Sequence, residues 1–152
     1  MKATLSSFVI FLLFLVSCVD QPKKAIHPTN EIIASQNDSI LKDSSKYTTI
    51  QWENPDQNIG ELILGAKAQI KYSFTNSGKN PLYIINVQPG CGCTVADYPR
   101  EAIAPGGTGA IVAGFDTNGQ HEGTFNKFIN VTANTIDGKD HNLTFTGEIK
   151  KK

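Results

Sequence analysis

Hydrophobic and polar positions alternate along most of the chain beyond residue 47. Ile70, Tyr72 and Phe74 are separated by Lys71 and Ser73, the period-two signature of a strand with one buried face. Ile111, Ala113 and Phe115 repeat the pattern. Phe125, Ile129 and Val131 mark the inward positions of a strand over residues 124–133. Leu143, Phe145 and Ile149 mark those of a last strand, where Gly147 interrupts the same face. A first strand is predicted over residues 47–52, and the run 82–87 is apolar enough to lie centrally in a sheet. Turn chemistry separates these runs: Asn76-Ser77-Gly78-Lys79-Asn80-Pro81, Pro105-Gly106-Gly107, the loop 117–123, and the hairpin signal Asp137-Gly138. The spacing predicts an all-β domain of about seven strands, packed as a β-sandwich of two sheets.

The pattern changes before residue 47. Lys2 precedes an unbroken apolar run over residues 8–16. A membrane-spanning helix needs about 20 apolar residues, whereas a short run behind a basic residue has the form of an export signal. The run ends in Leu15-Val16-Ser17-Cys18, which resembles the lipobox of bacterial lipoproteins. That resemblance implies removal of residues 1–17, a diacylglycerol on the Cys18 sulfur and acylation of the new N-terminus. Each buried CH₂ contributes about 0.8 kcal/mol, and stable anchoring takes more than one chain. Val19, with no Asp directly after the Cys, points to the periplasmic face of the outer membrane rather than the inner membrane.

Residues 19–46 contain no aromatic residue and are rich in Ser, Asp, Asn, Gln and Lys, with Pro22 and Pro28. Such a segment buries too little apolar surface to offset its ordering entropy. A flexible tether is therefore predicted, with a reach on the order of 30 Å. Within it, residues 30–41 have the makings of a short helix, with Asn30 as N-cap and Ile32, Ile33, Ile40 and Leu41 as apolar points. Asp38-Ser39-Ile40 resembles a short bacterial O-glycosylation sequon. The predicted organisation is a signal peptide over 1–17, the lipidated Cys18 and tether over 18–46, and the sandwich over 47–152.

Composition narrows the function. Lys+Arg and Asp+Glu both count 14 in 152 residues, and Arg100 is the sole arginine. Nucleic acid is not an expected partner, because phosphate affinity rests on clustered basic side chains. Three Cys are too few for a disulfide scaffold. The sequence carries no nucleophile elbow, phosphate loop or dinucleotide fingerprint. The expectation is a non-enzyme whose one prosthetic group is the lipid on Cys18.

The stretch Phe74-Thr75-Asn76-Ser77-Gly78-Lys79-Asn80-Pro81-Leu82-Tyr83-Ile84, followed by Val87 and Cys91-Gly92-Cys93-Thr94, resembles the bacterial family DUF1573. That family reads Phe-x-Asn-x-Gly, then Pro-Leu-x-Ile, then Cys-Gly-Cys-Thr. Pro105-Gly106, Phe115-Asp116, Gly123 and Leu143 to Gly147 also fall where the family places them. The resemblance covers residues 47–150. It implies an immunoglobulin-like sandwich similar to those of cilia and centrosome proteins, and members that often carry lipoprotein leaders. It implies no activity.

Cys91 and Cys93 are the remaining candidates for chemistry. In a strand, residues two apart point the same way. Three states stay open: buried thiols, a disulfide favoured by an oxidising envelope, or a soft-metal pair suited to Cu(I) or half of a zinc site. Extended residues at this separation have Cα atoms near the ~6.8 Å limit for a disulfide, so Pro89-Gly90 and Gly92 are expected to supply a bend. A zinc site would need further ligands, for which His121 and His141 stand in Asp/Asn/Gly-rich turns and His27 in the tether. Asp116 and Glu122 flank a loop that lacks the dense acidic run of a calcium site. The sequence therefore points to a lipid-anchored envelope protein that binds or assembles with an unidentified partner. Thiol-redox or copper handling through Cys91 and Cys93 is the alternative.

Overall fold

Eight strands pair into two sheets whose apolar faces meet. The computed structural model describes residues 30–151, so the predicted signal peptide, Cys18 and His27 lie outside the described residues. The strands are β1 (Ile50–Trp52), β2 (Asp56–Ile63), β3 (Lys67–Asn76), β4 (Ile84–Pro89), β5 (Thr94–Asp97), β6 (Thr108–Asp116), β7 (Gly123–Ala133) and β8 (Asp140–Lys150). One sheet has the order β1-β3-β6-β5 and the other β2-β8-β7-β4. The β2–β8 pairing is parallel and the others are antiparallel.

The alternating positions read from the sequence form the core. Register places Ile70 opposite Ala113 and Tyr72 opposite Ile111 in the first sheet. Ile129 faces Leu143 in the second. All six are fully buried or nearly so. Phe115, Phe125 and Phe145 pack together with ring centroids 5.0, 5.3 and 6.1 Å apart; Phe145 meets the other two edge-on, a geometry favoured by the ring quadrupole, while Phe115 and Phe125 are tilted. The buried Tyr72 hydroxyl donates to the Thr144 carbonyl at 2.8 Å and ties the sheets. Burial, and then the Asp56 carboxylate, push its pKa well above the ordinary phenol range.

One end of the sandwich is held by asparagine amides. The buried Asn76 side chain donates to the carbonyls of Asn80 (2.8 Å) and Ile103 (2.9 Å) and accepts from the Thr48 hydroxyl (2.8 Å) and the Gly78 N–H (3.2 Å). Asn134, equally buried, donates to the carbonyls of Lys46 (2.7 Å) and Pro81 (3.0 Å) and accepts from the Tyr83 N–H (2.8 Å). Every polar atom of both amides thus has a partner, as burial requires.

In its strands and its tether the structure departs from the sequence expectation in three places. Helix α1 (Asn30–Lys42) forms, but residues 41–46 are attached to the domain rather than preceding it. The Leu41 carbonyl accepts from the Tyr47 hydroxyl (2.6 Å) and the Lys139 ammonium (2.8 Å), a cap for the helix C-terminus. The Ser45 and Tyr47 carbonyls accept from the Asn80 amide. Composition misses this because the segment contributes main-chain acceptors, which no side-chain pattern records. The second departure is β2, a strand that the alternation did not predict. Its pairing with β8 shifts between Asn58 and Glu61, and Gly60 there has φ +76°. The bulge spaces the core-facing Ile59 and Leu62 three apart and hides the period of two. The third is the short β5, which brings the strands to eight instead of about seven.

Candidate functional site

The Cys-Gly-Cys segment crosses between the sheets. β4 runs along the edge of one sheet and β5 along the edge of the other, so residues 90–93 connect the two layers. Main-chain bonds fix the crossing: Gly90 N–H to the Phe128 carbonyl (2.9 Å), Thr94 N–H to the Cys91 carbonyl (3.4 Å) and Asp116 N–H to the Cys93 carbonyl (3.1 Å). Cys91 and Cys93 therefore lie in a turn, the bend expected for the disulfide state, and not in an extended strand. Their Cα atoms come within 5.3 Å and their sulfurs form a disulfide. Of the three states left open by sequence, the disulfide is the one present.

The two glycines serve the bend without an unusual φ. Neither Gly90 nor Gly92 adopts a positive φ. A Cβ on Gly90 would lie 2.5 Å from the Phe128 ring, so close approach is what that position demands. A Cβ on Gly92 would meet nothing within 4 Å, and this residue stands exposed at the tip.

Thr94 was a letter of the motif without a role. Its side chain is buried, with the hydroxyl oxygen 3.5 Å from Cys91 Sγ and 4.0 Å from Cys93 Sγ. Disulfide sulfurs carry no proton, so the hydroxyl donates. Beside the turn lies an open cleft of ≈ 420 Å³, whose lining includes Gly92, Cys93, Ala68 and Phe115 but not Cys91. Lys67 and Asp116 also line it and pair at 3.3 Å. The Asn118 N–H, bonded to Asp116 Oδ1 at 2.8 Å, and then Lys67 hold the Asp116 carboxyl below its usual range.

The other candidate ligands stand apart. Asp116 is engaged as described, while Glu122 reaches Lys151 at 4.0 Å, so the two acids serve separate partners. His121 is exposed in the loop before β7. His141 opens β8 and is not a solvated turn residue: its Nε2 is 2.7 Å from the Thr135 hydroxyl and its ring lies beside Trp52. Burial keeps its pKa below the ordinary value, opposed by Asp140 and Asp137. Among the described residues, no group of three or more His, Cys, Asp or Glu side chains is placed to hold a metal ion. No described helix is long and apolar enough to cross a membrane.

A second feature was missed in the sequence. Phe128 is 49 % exposed on the outer face of β7. Thr144 stands opposite it on β8, with Asn126 and Asn130 on either side along β7 and Thr146, Asn142 and Gln88 opposite those. These nearest neighbours are uncharged, and the first charge on the face is Asp56 of β2, which pairs with Thr144 and accepts its hydroxyl. The signal was parity: Phe128 falls with Asn126 and Asn130, out of step with Phe125 and Ile129.

The disulfide closes a loop of three residues, which in the chain-entropy account contributes only about 1.6 kcal/mol. The Cys91→Ser/Cys93→Ser double variant is thus expected to fold and to lose no more than about that amount in urea denaturation. A loss above about 3 kcal/mol would instead mark the bond as a structural staple.

Comparison with known proteins follows the same geometry. A crystal structure of a protein of unknown function from Porphyromonas gingivalis superposes with TM-score 0.62 at 16% identity, covering 70% of this chain and 49% of the other. The present chain therefore spans about half the length of that neighbour. PapD-like domain 7 of human CEP192 gives TM-score 0.54 at 11% identity, over 70% of this chain and 89% of that domain. The VesB protease of Vibrio cholerae gives 0.54 at 16% identity, over 73% of this chain and 34% of the protease. At these identities the likeness concerns the fold, an immunoglobulin-like, PapD-like sandwich. Comparison with curated protein sequences finds no match. Residues 50–149 match the family described as protein of unknown function (DUF1573). That span holds the core strands, the buried Asn76 and Asn134 and the Cys-Gly-Cys-Thr turn, and the chain belongs to the DUF1573 family.

Proposed function

We propose that this chain is a non-enzymatic binding or assembly module of the cell envelope, anchored through lipid on Cys18 and facing the periplasm from the outer membrane. The observation that carries the binding role is the half-exposed Phe128 on an amide- and hydroxyl-rich sheet face, with the Asp56 carboxylate beyond Thr144. An aromatic ring at the centre of a polar surface supplies contact area at low side-chain entropy, while its neighbours supply hydrogen bonds. The leader and Leu15-Val16-Ser17-Cys18 support the anchor.

Radiolabelled palmitate is expected to enter the wild-type chain and not the Cys18→Ser variant. Label in both, or in neither, refutes the anchor. In intact envelopes, crosslinking should give a defined adduct that Phe128→Ser reduces about tenfold, the loss expected of a central contact residue. An adduct pattern indifferent to that substitution would remove this face from the binding role.

A second reading is favoured by one observation: the disulfide sits in a half-buried turn, and Cys93, though it packs partly against the core, also borders an open cleft. In that reading the pair handles electrons or, when reduced, a soft metal such as Cu(I).

A further inference from the structure

We propose that this disulfide exchanges with a cysteine thiol of a partner protein, with Cys93 the sulfur attacked, Cys91 the sulfur released, and the Thr94 hydroxyl stabilising the released thiolate. The inference rests on the second reading above and gives it a direction.

Access sets the first assignment. Thiol–disulfide exchange is governed by which sulfur a thiolate can reach and by how well the other sulfur leaves. Both cysteines are half-buried and Cys93 packs partly against the core, but the cleft that would admit a partner is lined by Cys93 and not by Cys91. Its walls at Ala68, Gly114 and Phe115 suit small apolar residues flanking the incoming cysteine, and Gly92 adds no side chain that would block entry. Lys67 at the cleft favours a thiolate, although its ion pair with Asp116 tempers that attraction.

Leaving-group stabilisation sets the second. The Thr94 hydroxyl is nearer to Cys91 Sγ than to Cys93 Sγ, 3.5 against 4.0 Å. A hydrogen bond to the charged form of a thiol favours that form. The buried Thr94 side chain is already placed, so little reorganisation is required.

The step balances without a further oxidant. The partner thiolate donates an electron pair to Cys93 Sγ and forms a mixed disulfide. The Cys91–Cys93 bond breaks, and Cys91 departs with the bonding pair of that disulfide as a thiolate that then takes a proton from water. A second partner thiol attacking the mixed disulfide releases Cys93. The partner is oxidised to a disulfide, and Cys91 and Cys93 take up its two electrons and two protons.

The test uses the full chain carrying Cys18→Ser, so that Cys91 and Cys93 are the reactive sites, with glutathione as the probe thiol. The oxidised protein is mixed with excess glutathione, quenched in acid at graded times and mapped by peptide mass spectrometry. We expect the early adduct at Cys93 to exceed that at Cys91 at least about tenfold. We also expect Thr94→Val to slow the opening about tenfold, the effect of losing one hydrogen bond to a charged group. Adduct shared equally or concentrated on Cys91 overturns the assignment while leaving exchange itself standing. Exchange no faster than in an oxidised synthetic peptide of residues 89–95 overturns the exchange reading and the assignment with it. The site of the first adduct needs no substitution at Thr94, so a misfolded Thr94→Val chain leaves that readout intact.

Discussion

Asn76→Ala is expected to destabilise the domain by about 3–5 kcal/mol, a third or more of the stability of an ordinary domain. The side chain has no exposed surface. Its removal leaves the part-buried Asn80 carbonyl and two donors, the Thr48 hydroxyl and the Gly78 N–H, without the amide that joins them, while the Ile103 carbonyl keeps only its bond from the Leu82 N–H. Each buried polar group left unpaired costs about 1–3 kcal/mol, and relaxation recovers part of the sum. Asn76→Asp is expected to do no better, because a carboxylate would turn oxygen lone pairs toward those same two carbonyls in a site closed to water. Urea denaturation followed by the fluorescence of Trp52, whose ring packs edge-on against Phe74 at 5.1 Å, gives the measurement. A loss below about 1 kcal/mol would mean that water replaces the amide at little cost.

The same network explains why the signature Phe-x-Asn-x-Gly is spaced as it is. Phe74 and Asn76 both point inward, one into the apolar core and one into its polar end. Gly78 lies against Thr48: a Cβ there would sit 2.1 Å from its hydroxyl oxygen and 2.5 Å from the Thr49 nitrogen. The Asn76 carbonyl accepts from the Gly106 N–H of the Pro105-Gly106 turn. The motif is therefore a folding device, and it accounts for how family resemblance could disclose architecture without disclosing activity. Strands such as β3 and β6 were legible because every second residue faces inward and those residues are mostly apolar. β2 was not, because its bulge breaks that period, and β5 was not, because four residues after a turn carry too little pattern. Cys91 and Cys93 were legible as a reactive pair. The role of Thr94 and the cleft were not, since these depend on two strand edges from different sheets meeting. Side-chain pattern records which residues face inward; it carries no trace of which main-chain carbonyls a distant amide will find.

Gly147→Ala should be the most damaging small substitution in the second sheet, at about 3 kcal/mol. Gly147 lies opposite Phe125 in the β7–β8 pairing and beneath the β2 bulge. A Cβ there would stand 2.5 Å from the Gly60 carbonyl oxygen and 2.7 Å from the Phe125 ring. The half-buried ring can turn aside, but the carbonyl belongs to main chain in a parallel strand, so β2 itself must move. The prediction is a local as well as a global loss: amide exchange over β2 should quicken about a hundredfold, while the β7–β8 ladder keeps its protection down to the reduced global stability. Gly60→Ala is the control. A Cβ at Gly60 meets nothing within 4 Å, and its φ of +76° costs an L-residue only about 1–2 kcal/mol. If the two variants lose equal stability, backbone conformation at the bulge and not the contact across it governs this seam. The outcome bears on the contact face too. Thr146 and Asn126, which neighbour Phe128, line the same recess as Gly60 and Gly147. Release of β2 should therefore weaken whatever adduct Phe128 supports, linking the packing of a glycine to the surface through which the domain is proposed to bind.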